Sequence, residues 1–272
     1  MYAPKSALVF NNRACAWLEQ CEYARAMQDC NSALEIDPVM ASAYCNRGSA
    51  YMGMHDLRRA TDDYERCLSL DQNYVVAHTN KAFVALVEGN YARASEHCNH
   101  AMQLDSAYSL AARNRGIIAF CLRQFEEAQN YLVRAAELDP KAAELVVWLI
   151  LTSRRRGTER DGEFTAQLAA LNLGKWPGPL LSFLSGTSDE PTVLSAASDP
   201  NPDRELGQLC AAYFVLGEAA LINGDPERGQ MYLRKCHDTG AINFLEYCAA
   251  KSELDHLGVS REMSGPEAKS NE

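Results

Sequence analysis

Apolar positions recur along the chain with helical spacing. Across residues 125–138 they fall at Ala128, Tyr131, Leu132, Ala135 and Leu138, a stripe on one helix face. The arrangement returns every 34 residues, and four units align without a gap from Ala7, Ala41, Val75 and Ser109. Small residues hold three fixed phases: Ala14, Gly48, Ala82 and Gly116; Ala26, Ala60, Ala94 and Ala128; and Ala33, Cys67, Ala101 and Ala135. Paired helices approach closely only where side chains are small, so each unit predicts a helical hairpin in contact at these points. A period of this length predicts a stacked array in which each unit buries its apolar face on the next.

Polar or glycine turns separate the paired helices at Gln20, Cys21 and Glu22, at His55 and Asp56, at Glu88, Gly89 and Asn90, and at Arg123 and Gln124. Asp37, Asp71, Asp105 and Asp139 close the four units, and Pro38 and Pro140 follow two of them, preventing continuation of the helix. Past Pro140 the period frays. Residues 144–153 still predict a first helix, but Ile150 takes the small-residue place and Gly162 that of the alanine. Trp176, Pro177, Gly178 and Pro179 break the helix train; two short helices are expected near 180–184 and 191–197, then a polar linker over 198–205. A further hairpin is expected over 206–237, with Gly217 at its small position and Gly224, Asp225 and Pro226 in its turn. A last helix over 243–257 is expected to cover the open end of the stack. The domain reading is therefore four repeats in 1–140, a degenerate repeat and spacer in 141–205, a hairpin and capping helix in 206–258, and a disordered tail in 259–272.

With its period and its Gly, Tyr, Ala and Pro landmarks, the chain resembles tetratricopeptide-repeat (TPR) proteins. Trp17 and Tyr51 match the aromatic of the first helix, Ala85 and Ala119 depart from it, and Gln72 and Ser106 replace the proline. The resemblance implies an all-α fold, a right-handed α-solenoid of TPR hairpins with a C-terminal capping helix. A narrower resemblance rests on the order of the parts, on the stretch from Phe183 to Gly186, on Tyr213, Phe214, Leu216 and Gly217, and on Asn243, Phe244, Leu245 and Glu246. In these the chain is similar to bacterial TPR lipoproteins of the NlpI type, which implies an adaptor that brings a protease and cell-wall enzymes together. Residues 1–10 carry no recognisable secretion signal, and Cys15 lies inside the first helix rather than in a lipobox. The expectation is a cytoplasmic protein as written, and a periplasmic lipoprotein if the N-terminus is truncated.

Composition narrows the partners. A formal net charge of -10 argues against nucleic acid, whose phosphates are held by clustered Lys and Arg. The longest purely apolar run, Leu145 to Leu151, falls short of the roughly 20 residues of a membrane-spanning helix, so no membrane span is expected. The ten cysteines read as free, mostly buried thiols acting as small hydrophobes.

Asn12, Asn46, Asn80 and Asn114 hold one phase of the first helix. In TPR proteins this position faces the concave groove, where an amide can offer a donor and an acceptor to an extended peptide backbone; the alternative is that these amides bond neighbouring repeats. On the first reading, alanine at Asn46 and Asn80 weakens partner capture and leaves melting intact. Met52, Phe83, Leu86, Ile117 and Phe120 are expected beside them as an apolar groove floor, with core packing as the alternative. Leu8, Asn11, Val76 and Leu110 stand where a carboxylate-clamping groove would carry cations. Arg13, Arg47, Lys81 and Arg115 point about 100° away from the asparagines and are expected to pair with acids such as Asp37 and Asp71.

His97, Cys98 and His100 suggest metal ligands, but zinc takes four and no second pair with matching spacing appears, so no metal and no cofactor is expected. Arg154, Arg155 and Arg156 read as a solvated helix end. Phosphate-cradling loops, a nucleophile elbow and a zincin helix are all missing; any chemistry would sit in 157–186. The functional expectation is a non-enzymatic adaptor that holds a protein or peptide segment in its groove. The alternatives are a structural homo-oligomer using the same surfaces and a cytoplasmic chaperone-like protein.

Overall fold

The computed structural model describes residues 6–158, 164–169 and 171–259. Gly162 and the expected tail beyond 259 lie outside the described residues. The chain divides into two compact units, Met1–Ile118 and Ala119–Glu272. The described residues of both are helical, without strands, and the chain runs as consecutive packed hairpins.

The first unit holds α1 (Ala7–Glu19), α2 (Tyr23–Ile36), α3 (Ala41–Gly53), α4 (Leu57–Leu70), α5 (Val75–Val87) and α6 (Tyr91–Leu104), and α7 (Ser109–Cys121) as far as Ile118. The small-residue phases are the close contacts: Ala14, Ala26, Ala33, Ala60, Cys67, Ala82, Ala94 and Ala101 are fully buried. A Cβ built on Gly48 would lie 2.6 Å from Cε1 of Tyr64 and 3.2 Å from the Ala60 carbonyl oxygen, so glycine there makes room for an aromatic ring on the paired helix.

Each hairpin turn uses one left-handed residue at the same phase, Cys21 (φ 61°), His55 (φ 62°), Gly89 (φ 77°) and Arg123 (φ 58°). Only one of the four is glycine, so the device is scarcely visible in sequence. The closing aspartates also act alike: Oδ1 of Asp37, Asp71, Asp105 and Asp139 accepts from the backbone N–H of Val39, Asn73, Ala107 and Lys141. These are Asx turns, which start the next hairpin whether or not proline follows.

The second unit contains α8 (Phe125–Leu138), α9 (Ala143–Arg156), α10 (Thr165–Ala169), α11 (Gly178–Leu184), α12 (Glu190–Ala196), α13 (Pro202–Ile222), α14 (Pro226–Asp238) and α15 (Leu245–His256). Its core gathers Phe120, Trp148 and Phe214, with ring centroids 5.0 to 6.2 Å apart. The expected polar linker over 198–205 is corrected in its second half, because α13 begins at Pro202. Asn201 caps it, accepting from the N–H groups of Asp203 and Arg204, and proline suits the first helical position. By length and composition α13 could cross a membrane, but 61% of its most apolar window is buried within the protein.

Eight of the ten cysteines are buried and all are free. Burial pushes Cys30 and Cys98 up to about 12, which keeps both as thiols.

Candidate functional site

The asparagine series is tied into the stack. The Asn46 amide donates to Asn11 Oδ1 at 2.8 Å and to Cys15 Sγ at 3.1 Å, both on the preceding hairpin. The Asn80 amide donates to Ser49 Oγ at 3.1 Å and lies 3.8 Å from Cys45 Sγ, the same relation one repeat on. Asn11 is buried and donates in turn to Ser42 Oγ at 3.3 Å. Asn114 is buried and accepts from Arg113, while Asn12 is exposed on the first helix. The donor sides of Asn46 and Asn80 thus serve the repeat interface. Among the described residues no donor reaches their carbonyl oxygens, and both side chains are half-buried.

The expected apolar floor is largely core. Ile117 and Phe120 are fully buried and Met52 and Leu86 nearly so; only Phe83 is half-buried. Met52, Leu86 and Phe120 stand twelfth and Ile117 ninth in helices of 13 residues, and all four are buried, whereas Phe83, also ninth, stays partly open. The open apolar positions lie one turn before the asparagines instead: Leu8 (57% exposed), Val76 (36%) and Leu110 (39%) precede Asn12, Asn80 and Asn114 by four residues. Side chains at i and i+4 share a helix face, so Val76, Asn80 and Phe83 form one line along α5. In sequence these places stand out only as lacking cations; their value as apolar contacts follows from their exposure.

The cations pair differently from expectation. Arg13 grips Asp29 with two bonds of 2.7 Å, and Arg47 grips Asp63 at 2.7 and 2.8 Å. Both acids lie 16 residues on, in the second helix of the same hairpin, whereas Asp37 and Asp71 accept backbone N–H groups in turns. Arg47 also donates to Asn31 on the preceding hairpin, and Lys81 bonds Glu65 at 3.0 Å. The hydrogen bond from Arg13, with its charge, holds Asp29 below the usual carboxylate range.

In the second unit the arginine run is no simple solvated end. Arg155 donates to Glu218 at 2.7 and 3.1 Å and to Glu253 at 2.6 Å, and Arg123 also reaches Glu253, at 3.0 Å. Arg154 donates to the Leu184 carbonyl, whereas Arg156 is exposed. Burial, with the neighbouring Glu253, pushes Glu218 up to about 7 against the pull of Arg155. A cleft of about 600 Å³ opens between Phe183, Leu216 and Tyr232, with an Arg228–Glu190 ion pair on its wall. Asp189 and Asp225 on the same wall cap α12 and α14.

Residues 41–74 match the tetratricopeptide repeat model. A comparison with curated proteins gives no match. Among solved structures the chain is similar to a tetratricopeptide repeat protein from Parabacteroides merdae, at 16% identity and a TM-score of 0.54 over 89% of this chain and 98% of that one. It is similar to PilF of Pseudomonas aeruginosa at 15% identity and 0.53, over 91% and 97% of the two chains. A third likeness is to PilW, described as a type IV pilus biogenesis factor, at 15% identity and 0.52 over 87% and 94%. These likenesses show the fold, which is that of tetratricopeptide-repeat proteins.

Proposed function

We propose that the first unit holds an extended segment of a partner protein along the open face of its first helices. The observation that carries this is the alignment of exposed Leu8, Val76 and Leu110 with the asparagine series, where the Asn46 and Asn80 carbonyl oxygens are left without donors from the described residues. An extended peptide can give its N–H groups to those oxygens and lay alternate side chains on the apolar positions. The ligand is a segment with spaced apolar side chains and needs no terminal carboxylate, since the face carries leucine and valine where a clamp needs cations. The role is that of an adaptor without chemistry of its own. Recruitment of a protease or cell-envelope enzyme rests on the short NlpI-like motifs alone.

A photo-crosslinking residue placed at Val76 or Leu110 should trap a partner that the same residue at Arg58, exposed on a second helix, does not. Val76→Asp with Leu110→Asp should abolish that capture and leave helix content unchanged. Equal capture from Arg58, or undiminished recovery by the double variant, refutes the groove reading.

Self-association is the second reading, and one observation favours it. Val9 is 62% exposed, whereas its counterparts Ala43, Ala77 and Ala111 are fully buried. A second copy covering that face of α1 would make the protein a concentration-dependent dimer by light scattering, and Val9→Glu would return it to a monomer.

A further inference from the structure

Histidines from two helices of the third hairpin meet at the surface of the first unit. His78 on α5 places its Nδ1 3.4 Å from Nδ1 of His97 on α6, and its ring centroid lies 4.3 Å from that of His100, three residues beyond His97. The other ring nitrogen of His78, Nε2, lies 3.0 Å from the Gln72 backbone carbonyl oxygen. A carbonyl oxygen only accepts, so Nε2 carries the proton and Nδ1 of neutral His78 keeps its lone pair. The 3.4 Å contact is then a hydrogen bond in which His97 Nδ1–H donates to His78 Nδ1, and a metal ion bound by both nitrogens takes the place of that proton, which moves to His97 Nε2 or to water.

We propose that His78 and His97, joined by His100, bind a divalent transition-metal ion of the kind that prefers imidazole, such as Zn2+. Two nitrogens bound to one tetrahedral ion at about 2.0–2.1 Å stand about 3.4 Å apart, which is the separation already present. The Gln72 carbonyl supplies the outer hydrogen bond that metal-binding histidines use to fix their tautomer. His100 is exposed and can turn about its own side-chain bonds to become the third ligand, with water as the fourth. Among the described residues no group of three or more His, Cys, Asp or Glu side chains is placed to hold a metal ion as it stands, so binding has to draw His100 in. Two cations act on the His97 ring, Lys81 and Arg93, and both reach Glu65, at 3.0 and 4.0 Å, which offsets their repulsion of an incoming ion. Spacing alone groups His97, Cys98 and His100 and leaves out His78, which lies 19 residues before His97 and on another helix.

The test uses the full chain, freed of metal by a chelator and kept reduced, and titrated with Co2+ followed by absorption and with Zn2+ followed by calorimetry. The expected result is one equivalent bound, with cobalt ligand-field bands and no thiolate-to-cobalt charge transfer. His78→Gln and His97→Gln should each weaken binding at least about tenfold. His100→Gln, at an exposed position, should weaken it with the helix content unchanged. In the unaltered chain, Zn2+ should shift the Nδ1 resonances of His78 and His97, a readout that needs no variant to fold. Absence of binding, a charge-transfer band assigning the metal to cysteine, Zn2+ leaving both resonances in place, or unchanged affinity in all three variants overturns the proposal.

Discussion

Arg47 and Asp63 form a two-pronged ion pair across the second hairpin, with bonds of 2.7 and 2.8 Å and only 22% and 8% of their side chains exposed. Removing the guanidinium leaves a buried carboxylate without its counter-charge, so Arg47→Ala should cost about 3 kcal/mol in denaturant unfolding. Arg13, 55% exposed in the equivalent pair, sits in water that screens it, and Arg13→Ala should cost clearly less. Equal losses would contradict the argument from burial.

Asp29 carries the corresponding acid dependence. Its folded pKa lies below its ordinary value through Arg13. The pair's stability is therefore present above the ordinary value of about 4 and is lost as pH falls through the lowered one. Melting between about pH 2 and pH 5 should be steeper with pH in the unaltered protein than in Asp29→Asn.

Glu218 has the opposite sign. Its pKa is raised from an ordinary 4.5 to about 7, so the folded state holds a proton that the unfolded chain has lost. That contribution is complete below the ordinary value and disappears as pH rises through about 7. The melting temperature should fall between about pH 5 and pH 8, and Glu218→Gln should flatten that fall.

Gly48 faces Tyr64 with no room for a methyl group. Gly48→Ala should destabilise the protein by about 1–3 kcal/mol through overpacking, and the smaller Tyr64→Leu in the same chain should recover part of that loss. Calorimetric melting of the single and double variants checks this.

Asn46 is a structural tie whatever it offers a ligand. Alanine there removes the donor to Asn11 and should cost about 1–2 kcal/mol, against the sequence-based expectation that melting stays intact. For that reason Val76 and Leu110, rather than the asparagines, are the sites at which to test partner capture.

The repeat, its hairpins and its close contacts were legible from residue order alone. A helix pair can pack only where Ala, Gly or Cys recurs at fixed phase, and a chain with period 34 shows that phase directly. The short helices after the Trp–Pro break and the hairpin turn at Gly224 were equally local, since proline and glycine act on their own backbone. The partners of the polar side chains were not legible. Arg47 finds Asp63 16 residues on, Asn46 finds Asn11 35 residues back, and Arg155 finds Glu253 98 residues on; such pairings depend on where helices cross. Tertiary structure also decided that Ile117 and Phe120 are core while Leu8, Val76 and Leu110 are open, because which side of a helix meets its neighbour is a property of the stack. It likewise placed His78 beside His97, since contact between residues 19 apart on separate helices is set by packing and leaves no mark on spacing.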